Sequence, residues 1–384
     1  MKKIFVISAG RSDYDRYLPI LEELKKNPKV DLYLILSSAH YASKFGSTFN
    51  FVAKDFKVIK PKKIYKSYPD RAFWLVNRFS EDLKFLSKNI KKYNPDILIA
   101  LGDRIEMLIA PIASIPNNIP VVHFYGGAVT EGAIDELIRH AITKLSHYHF
   151  VALDNYKKRL IQLGEEKWRV QTAGVHGVNQ FKSVKKINVN DLSKIVGIDL
   201  NKPYLLLTFH PVTLEQKKTK DQIKSIISAI KKTKLNAVIT YPNADIGHNK
   251  IIKIMLKELF DKRKYRIIKN CGIKIYSNLV QNCLAMIGNS SSGIVEAASF
   301  NIPVINIGTR QDGKYKPKNV IDSAYSQKDI YKKILKIKNN KILNRSKNIK
   351  NPYEAKISLK KITKLILDID SSDKILRKKF IDII

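Results

Sequence analysis

Two cysteines in 384 residues, Cys271 and Cys283, leave no disulfide scaffold and no cysteine-built metal cluster. No apolar run approaches the ~18 residues that a membrane span needs, which excludes membrane insertion. The opening MKKIFVISAG meets Arg11 and Asp13 almost at once, so it does not read as a signal peptide. The loop after the first apolar run lacks Gly-x-Gly-x-x-Gly, so a dinucleotide fingerprint is missing. Acidic residues are scarce as well: 34 Asp+Glu stand against 70 Lys+Arg, a net charge of +36. A soluble, cytoplasmic protein is expected.

The chain is 44% hydrophobic, enough to bury sizeable cores, and its length suits two or three domains. The basic excess invites an anionic partner, but most of the cations are lysines on presumed solvent faces. Bidentate recognition of phosphates and bases prefers arginine, and no nucleic-acid motif is present, so no specific nucleic-acid partner is expected. The charge should raise the on-rate of anionic small molecules.

Short apolar runs alternate with amphipathic stretches. Ile4–Ser8, Asp31–Leu36, Asp96–Leu101, Pro120–Phe124 and His149–Leu153 read as buried strands. Helical patterns at Tyr17–Lys26, Ala72–Lys92 and Ile134–Lys144 separate them. After a Lys- and Asn-containing stretch around 181–202 the rhythm restarts with Tyr204–Phe209, Ala237–Tyr241, Arg266–Ile268, Leu284–Gly288 and Pro303–Ile307. Continuous apolar strands separated by helices imply parallel sheets covered on both faces. The expected architecture is α/β, two Rossmann-like doubly wound domains facing a cleft. In such sheets ligands bind beyond the carboxyl ends of the strands, so the strand-to-helix loops are where chemistry is sought.

Those loops are polar. Ser8-Ala9-Gly10-Arg11-Ser12-Asp13-Tyr14 ends the first strand, and Arg11 there either reaches a phosphate or caps the sheet edge. Leu101-Gly102-Asp103-Arg104 sets an acid beside a base at a strand end, an arrangement that packing does not require. His123-Phe124-Tyr125-Gly126-Gly127-Ala128 leads toward a helix on which Glu131, Asp135 and Arg139 recur every four residues, as do Glu136 and His140. That pattern is either an exposed salt-bridge stripe or an acid/base set. Thr130 is expected to cap this helix. In the second half His210 ends a strand, Asn243 follows another, and Asn289-Ser290-Ser291-Ser292-Gly293 leads into a helix over Ile294–Phe300. Hydroxyls and N–H groups at a helix start suit phosphate. Glu296, placed on the first turn, is positioned for ribose hydroxyls, and Arg310 adds a guanidinium. Together with His210 these residues indicate a nucleoside diphosphate.

In this order the residues resemble the hydrolysing UDP-N-acetylglucosamine 2-epimerases that make precursors of sialic and legionaminic acids. The resemblance covers essentially the whole chain. It rests on Gly10–Tyr14, Ala39-His40, Leu101–Arg104, the Gly126–His149 segment, Phe209-His210-Pro211, Asn289–Glu296 and Gly308–Gly313. It implies a GT-B-like fold with an N-terminal sugar domain over residues 1–180, a nucleotide domain over 181–365, and a C-terminal helix over 366–384 folding back on the first. It also implies a two-step reaction: loss of the C2 proton with departure of the nucleoside diphosphate, then addition of water. By matching position, Asp103 and Asp135 are the expected acid and base. His210, Ser290, Ser291, Ser292, Glu296 and Arg310 are expected to hold the nucleotide. Arg11, His40, Arg104, Arg139 and Asn243 are expected around the phosphates and sugar. No cofactor or metal is implied, and a homodimer or homotetramer is.

Four departures stand out. Ala128 occupies the place of the family's usual glutamate after Gly-Gly, which removes one expected carboxylate. Tyr125 stands where His or Glu is common, Asp15 replaces a small residue, and Ala173–Gly177 replaces a Gly-Ser-Pro-Gly-like turn. Glu131, Tyr125 and His176 are the candidates to stand in for the missing group; otherwise the substrate differs or activity is lost. The competing readings are a GT-B glycosyltransferase and a catalytically altered nucleotide-sugar-binding homologue.

Overall fold

The structure is a computed structural model that describes residues 1–43, 48–61, 69–339 and 348–382. The chain divides into two compact units. The first comprises Met1–Ala128, Asp135–Asn179 and Tyr353–Ile384, and the second Val129–Ile134 and Gln180–Pro352.

Seven strands build the sheet of the first unit: β1 (Lys2–Ser8), β2 (Val30–Leu36), β3 (Lys57–Ile59), β4 (Ile97–Leu101), β5 (Val121–Phe124), β6 (Tyr148–Val151) and β7 (Val170–Thr172). Their spatial order is β3-β2-β1-β4-β5-β6-β7, and every pairing is parallel. The strand order reverses between β1 and β4, so the loops leaving these two strands flank the switch point where doubly wound sheets bind ligands. The second unit repeats the plan with β8 (Tyr204–Thr208), β9 (Asn236–Thr240), β10 (Tyr265–Ile268), β11 (Ala285–Gly288), β12 (Val304–Ile307) and β13 (Val320–Ser323). Here the order is β10-β9-β8-β11-β12-β13, also parallel throughout, and the reversal falls between β8 and β11.

The central strands are fully buried because helices cover both faces, as their unbroken apolar runs require. In the second unit Leu205, Leu207, Ile226, Ile230, Ile239 and Ile287 form one side of the core. Tyr204, Leu206, Val238, Leu279 and Met286 form the other. Burying each such aliphatic side chain stabilises the fold by about 1.5–3 kcal/mol before chain entropy is counted.

Three strands lie outside the sequence-based expectation, β3, β7 and β13, and each is a sheet edge of three or four residues. Edge strands are covered less completely, so KVI, VQT and VIDS lack the apolar continuity of the central strands. The helix expected from Ile134 begins at Asp135. Thr130 therefore does not cap it, and Glu131 is not on it. The reason is local: Glu131 N–H donates to Asp312 O (3.2 Å) and Ile134 N–H to Thr213 Oγ1 (3.0 Å), so these amides are paired outside any helix. The helix expected over Ile294–Phe300 is a short helix Ser291–Val295 followed by a 3-10 turn Ala297–Phe300.

After Pro352 the chain rejoins the first unit. Val175 N–H donates to Tyr353 O and Lys356 N–H to Ala173 O, both at 2.8 Å. Gly174 sits where this strap crosses; a Cβ there would meet Glu354 O and Ala355 Cα at 2.2 and 2.6 Å, so only glycine fits. The helix Leu359–Leu367 packs on the helix Arg11–Lys26. Beyond it a buried arginine and a half-buried lysine anchor the tail. Arg169 donates to the carbonyls of Lys374, Ile375 and Arg377. Lys378 donates to those of Lys144 (2.9 Å) and Ser146 (2.6 Å) and to Glu165. Among the described residues no helix is long and apolar enough to cross a membrane.

Candidate functional site

At the switch point of the first unit, charged groups meet in pairs. Asp103 follows Gly102 directly beyond β4, and Arg139 reaches it from the helix Asp135–Leu145. Arg139 Nε (3.1 Å) and Nη2 both donate to Asp103 Oδ2. Arg139 Nη1 donates in addition to Glu136 Oε2 (2.6 Å) and to the carbonyl of Ala128 (2.7 Å). Arg139 is fully buried, whereas the Asp103 side chain keeps 32% of its exposure, so the carboxylate is the member of the pair that faces outward. Burial works against the Arg139 charge, but Asp103 and Glu136 outweigh it and raise the guanidinium pKa. One arginine thereby fixes the β4 loop, the Gly126–Ala128 turn and the first turn of the helix.

Around this hub, Glu136 Oε1 pairs with His140 Nε2 (3.1 Å) and Arg104 with Glu106 (3.2 Å). Asp135 opens the helix and is partly exposed. Arg11 is bonded to Asp15 at 3.2 Å, so the added acid after Asp13-Tyr14 is balanced within its own helix. Asp13 Oδ2 accepts the Gly10 N–H (3.1 Å). Its burial pushes its pKa up to about 6 against the pull of Arg104 and Arg16, and Glu106 and Asp103 add to the rise. Tyr125 holds φ +65°, an uncommon backbone state for a tyrosine and one that costs of order 1 kcal/mol or more. It leaves β5 beside the Gly126–Ala128 turn.

Two expected site histidines are turned inward. His40 is buried, with Nε2 against Ser8 Oγ (2.9 Å) and Nδ1 against Thr48 Oγ1 (2.7 Å). Burial lowers its pKa to about 3, so it is neutral. His176 Nε2 is bonded to the Ile357 carbonyl (2.7 Å), which engages it in holding the returning chain.

The second unit gathers different groups at its own switch point. Asn289, directly after β11, makes a reciprocal pair with His210, two residues beyond β8: its Oδ1 accepts the His210 N–H (2.7 Å) and its Nδ2 donates to the His210 carbonyl (2.9 Å). His210 Nδ1 accepts the Asn243 N–H (3.0 Å), so a neutral ring carries its hydrogen on Nε2. Arg310 Nη1 (3.3 Å) and Gln311 Nε2 (3.0 Å) both donate to the Asn289 carbonyl, and Asp245 stands 3.8 Å from Arg310 Nη2. Ser290 caps the short helix by accepting the Ser292 N–H (3.3 Å), and Ser291 is its first residue. Glu296 is buried at the far end of that helix rather than in its first turn. Glu131 belongs to this unit, where its carboxylate lies against Gly313.

The structure therefore brings Asp103, Arg104, Arg139 and Asp135 into one region of the first unit, and His210, Asn243, Ser290 and Arg310 into one region of the second. The sequence did not single out Glu106, Asp245 or Gln311; their charge or amide at a strand end was the available signal. Among the described residues no group of three or more His, Cys, Asp and Glu side chains is arranged to hold a metal ion.

Two parallel-sheet Rossmann-like units, each with its polar residues at the switch point, define a GT-B-like α/β protein. The sequence profile described as UDP-N-acetylglucosamine 2-epimerase matches residues 22–367. Over 385 aligned residues, spanning 100% of this chain and 99% of the relative, the protein is 36% identical to a GDP/UDP-N,N'-diacetylbacillosamine 2-epimerase (hydrolyzing) of Campylobacter jejuni. It is 35% identical to a UDP-N,N'-diacetylbacillosamine 2-epimerase (hydrolyzing) of Legionella pneumophila, over 84% of this chain and 85% of that one. A UDP-GlcNAc 2-epimerase of Methanocaldococcus jannaschii, solved with UDP-GlcNAc and UDP, has the same fold: TM-score 0.78 over 96% of this chain and 99% of that one, at 20% identity. The chain belongs to the UDP-N-acetylglucosamine 2-epimerase family.

Proposed function

We propose that the protein is a hydrolysing nucleotide-sugar 2-epimerase of surface-polysaccharide synthesis. Its substrate is an N-acetylated hexosamine carried on UDP or GDP, with N,N'-diacetylbacillosamine the first sugar to test. The observation that carries this reading is the end-to-end 36% identity with a relative named for that activity. The paired charges at Asp103 agree with it.

In the first step a carboxylate of the Asp103/Asp135 set takes the C2 proton. The C2–H electron pair forms the C1=C2 bond of a glycal, and the C1–O bond breaks to release the nucleoside diphosphate. Water then adds its oxygen to C1 while C2 receives a proton on the opposite face. A carbon acid this weak needs a fixed base, and Arg139 fixes one Asp103 oxygen with two donors. The leaving diphosphate needs donors and positive charge, which Arg310, the His210 ring and the Ser290–Ser292 turn supply. Arg11, Arg104 and Asn243 are assigned to the phosphates and sugar, and Glu296 to the nucleoside.

Ala128 carries no ionisable group where the family usually has glutamate. Its main chain nonetheless holds Arg139, so the turn keeps an organising role. The test is incubation with a panel of UDP- and GDP-linked N-acetyl sugars, reading nucleotide release and product stereochemistry together. Release of UDP or GDP with the free 2-epimer supports the reading. Binding without release across the panel assigns the chain as a nucleotide-sugar-binding homologue. In that case Ala128→Glu is the first variant to assay for restored turnover.

A further inference from the structure

Behind Asp103 lies a buried imidazole that nothing above uses. His123 sits in β5 with its side chain completely buried, opposite Ala100 of β4 on one side and His149 of β6 on the other. Its Nε2 lies 2.7 Å from the carbonyl of Gly102, the residue before Asp103. A carbonyl only accepts, so Nε2 carries the hydrogen and donates. Nδ1 is then an acceptor, and the Thr143 hydroxyl on the helix Asp135–Leu145 lies 3.4 Å from it. The third neighbour is Gly126: a Cβ there would come within 3.0 Å of His123 Cε1 and Nδ1 and 3.2 Å of Thr143 Oγ1, so the backbone of the turn rests against the ring. A single side chain thus touches the loop that carries Asp103, the turn before Ala128 and the helix that carries Asp135, Glu136 and Arg139.

We propose that His123 is a positioning residue for the C2 proton transfer, setting the placement of Asp103 through the Gly102 carbonyl and of the Asp135–Arg139 turn through Thr143 and Gly126. The inference rests on the epimerase reading for its kinetic consequence, but not for its geometry. Burial and the neighbouring His149 lower the pKa of His123 to about 3, against the pull of the Gly102 carbonyl, so the ring stays neutral and its tautomer constant through the working range. Displacing a reacting group by about 1 Å can cost about a hundredfold in rate. Gly102, Thr143 and His149, the partners of His123, all belong to the first unit and none is assigned to nucleotide binding, so the cost should fall on kcat rather than KM.

Three variants separate position from packing. In His123→Gln the amide nitrogen reaches about as far as Nε2 and can still donate to Gly102. In His123→Asn it reaches only as far as Nδ1. In His123→Leu the volume is kept and the donor lost. Steady-state kinetics with the best nucleotide sugar should show kcat falling about tenfold to a hundredfold in the Asn and Leu variants, with KM within twofold, and recovery to within about threefold of wild type in the Gln variant. In the free proteins, amide deuterium exchange over residues 102–108 and 125–128 should rise severalfold in Asn and Leu and stay near wild type in Gln.

Unchanged kcat and exchange in the Asn and Leu variants would overturn the proposal. So would an equal loss in all three, which assigns His123 to packing alone. If Leu fails to fold, the Gln and Asn pair decides. If the wild type turns over no nucleotide sugar, the epimerase reading fails and the exchange pattern still decides the placement claim.

Discussion

The two units solve the same topological problem with opposite chemistry. At its switch point the first gathers ion pairs, Asp103 and Glu136 on Arg139 and Glu106 on Arg104. The second joins its strands with a neutral amide, the Asn289–His210 reciprocal pair, and adds the Arg310 guanidinium beside serine hydroxyls. In the proposed reading the ion pairs orient carboxylates that exchange protons. The amide, the hydroxyls and Arg310, which Asp245 approaches at 3.8 Å, are the groups proposed to hold the diphosphate. On this contrast, changes at the carboxylates of the first unit should act on kcat and changes at Arg310 and the serine turn of the second on affinity.

The largest expected effect breaks the first half of the comparison. In the proposed reaction Asp103→Asn keeps the shape and removes one of the two proton-transferring carboxylates, so kcat should fall by about 10²–10⁴ while UDP affinity by calorimetry changes less than twofold. An affinity loss as large as the rate loss would erase the distinction. Next comes Arg310→Ala in the second unit. A charge-assisted hydrogen bond contributes about 1.5–3 kcal/mol, so the UDP dissociation constant should rise about ten- to a hundredfold, with a smaller change in kcat.

Two further changes concern stability within the first unit. Glu165 is buried, and although burial works against its charge, the His149 N–H and the Lys378 ammonium hold its pKa down to about 2. A folded pKa below the unfolded one gives stability that is present above about pH 4.3 and is lost as pH falls toward 2. Glu165→Gln should therefore destabilise by on the order of 2–3 kcal/mol at pH 7 and flatten the acid limb of Tm against pH. Asp13 is the opposite case. Its folded pKa, about 6, lies above the unfolded value, so the folded state favours the protonated form and loses stability as pH rises from 4 through 6. Asp13→Asn should stabilise the fold at pH 8 by on the order of 1–3 kcal/mol, seen as a higher Tm, and change little at pH 4. Equal shifts at both pH values would show that the carboxyl is not buried as described.

Much of the fold was legible because its central strands are uninterrupted apolar runs between helical patterns. The edge strands β3, β7 and β13 were not, because a strand paired on one side needs no such run. The site was legible as a set of loops but less so in its wiring. Four-residue spacing put Glu131 on a helix with Asp135 and Arg139, yet its amide is paired with Asp312 and the helix starts later. Helical three-residue spacing places Glu136 near Arg139 but cannot show Asp103, which is 36 residues away in sequence. His40 lies in the short 3-10 turn Ser38–His40 beyond β2, where a ligand-binding residue could sit, but two hydroxyls inside the fold take both its nitrogens. Sequence position identifies which residues reach the end of a sheet; only packing decides which of them turn outward.

In the proposed reaction, carboxylates at the first switch point remove a proton from C2 while the diphosphate departs. Turnover of UDP-N,N'-diacetylbacillosamine in deuterated water, followed by NMR and mass spectrometry of the free sugar, tests it most directly. UDP release with one deuterium at C2 of the inverted sugar is the expected result. Release of UDP with the C2 hydrogen retained would contradict it.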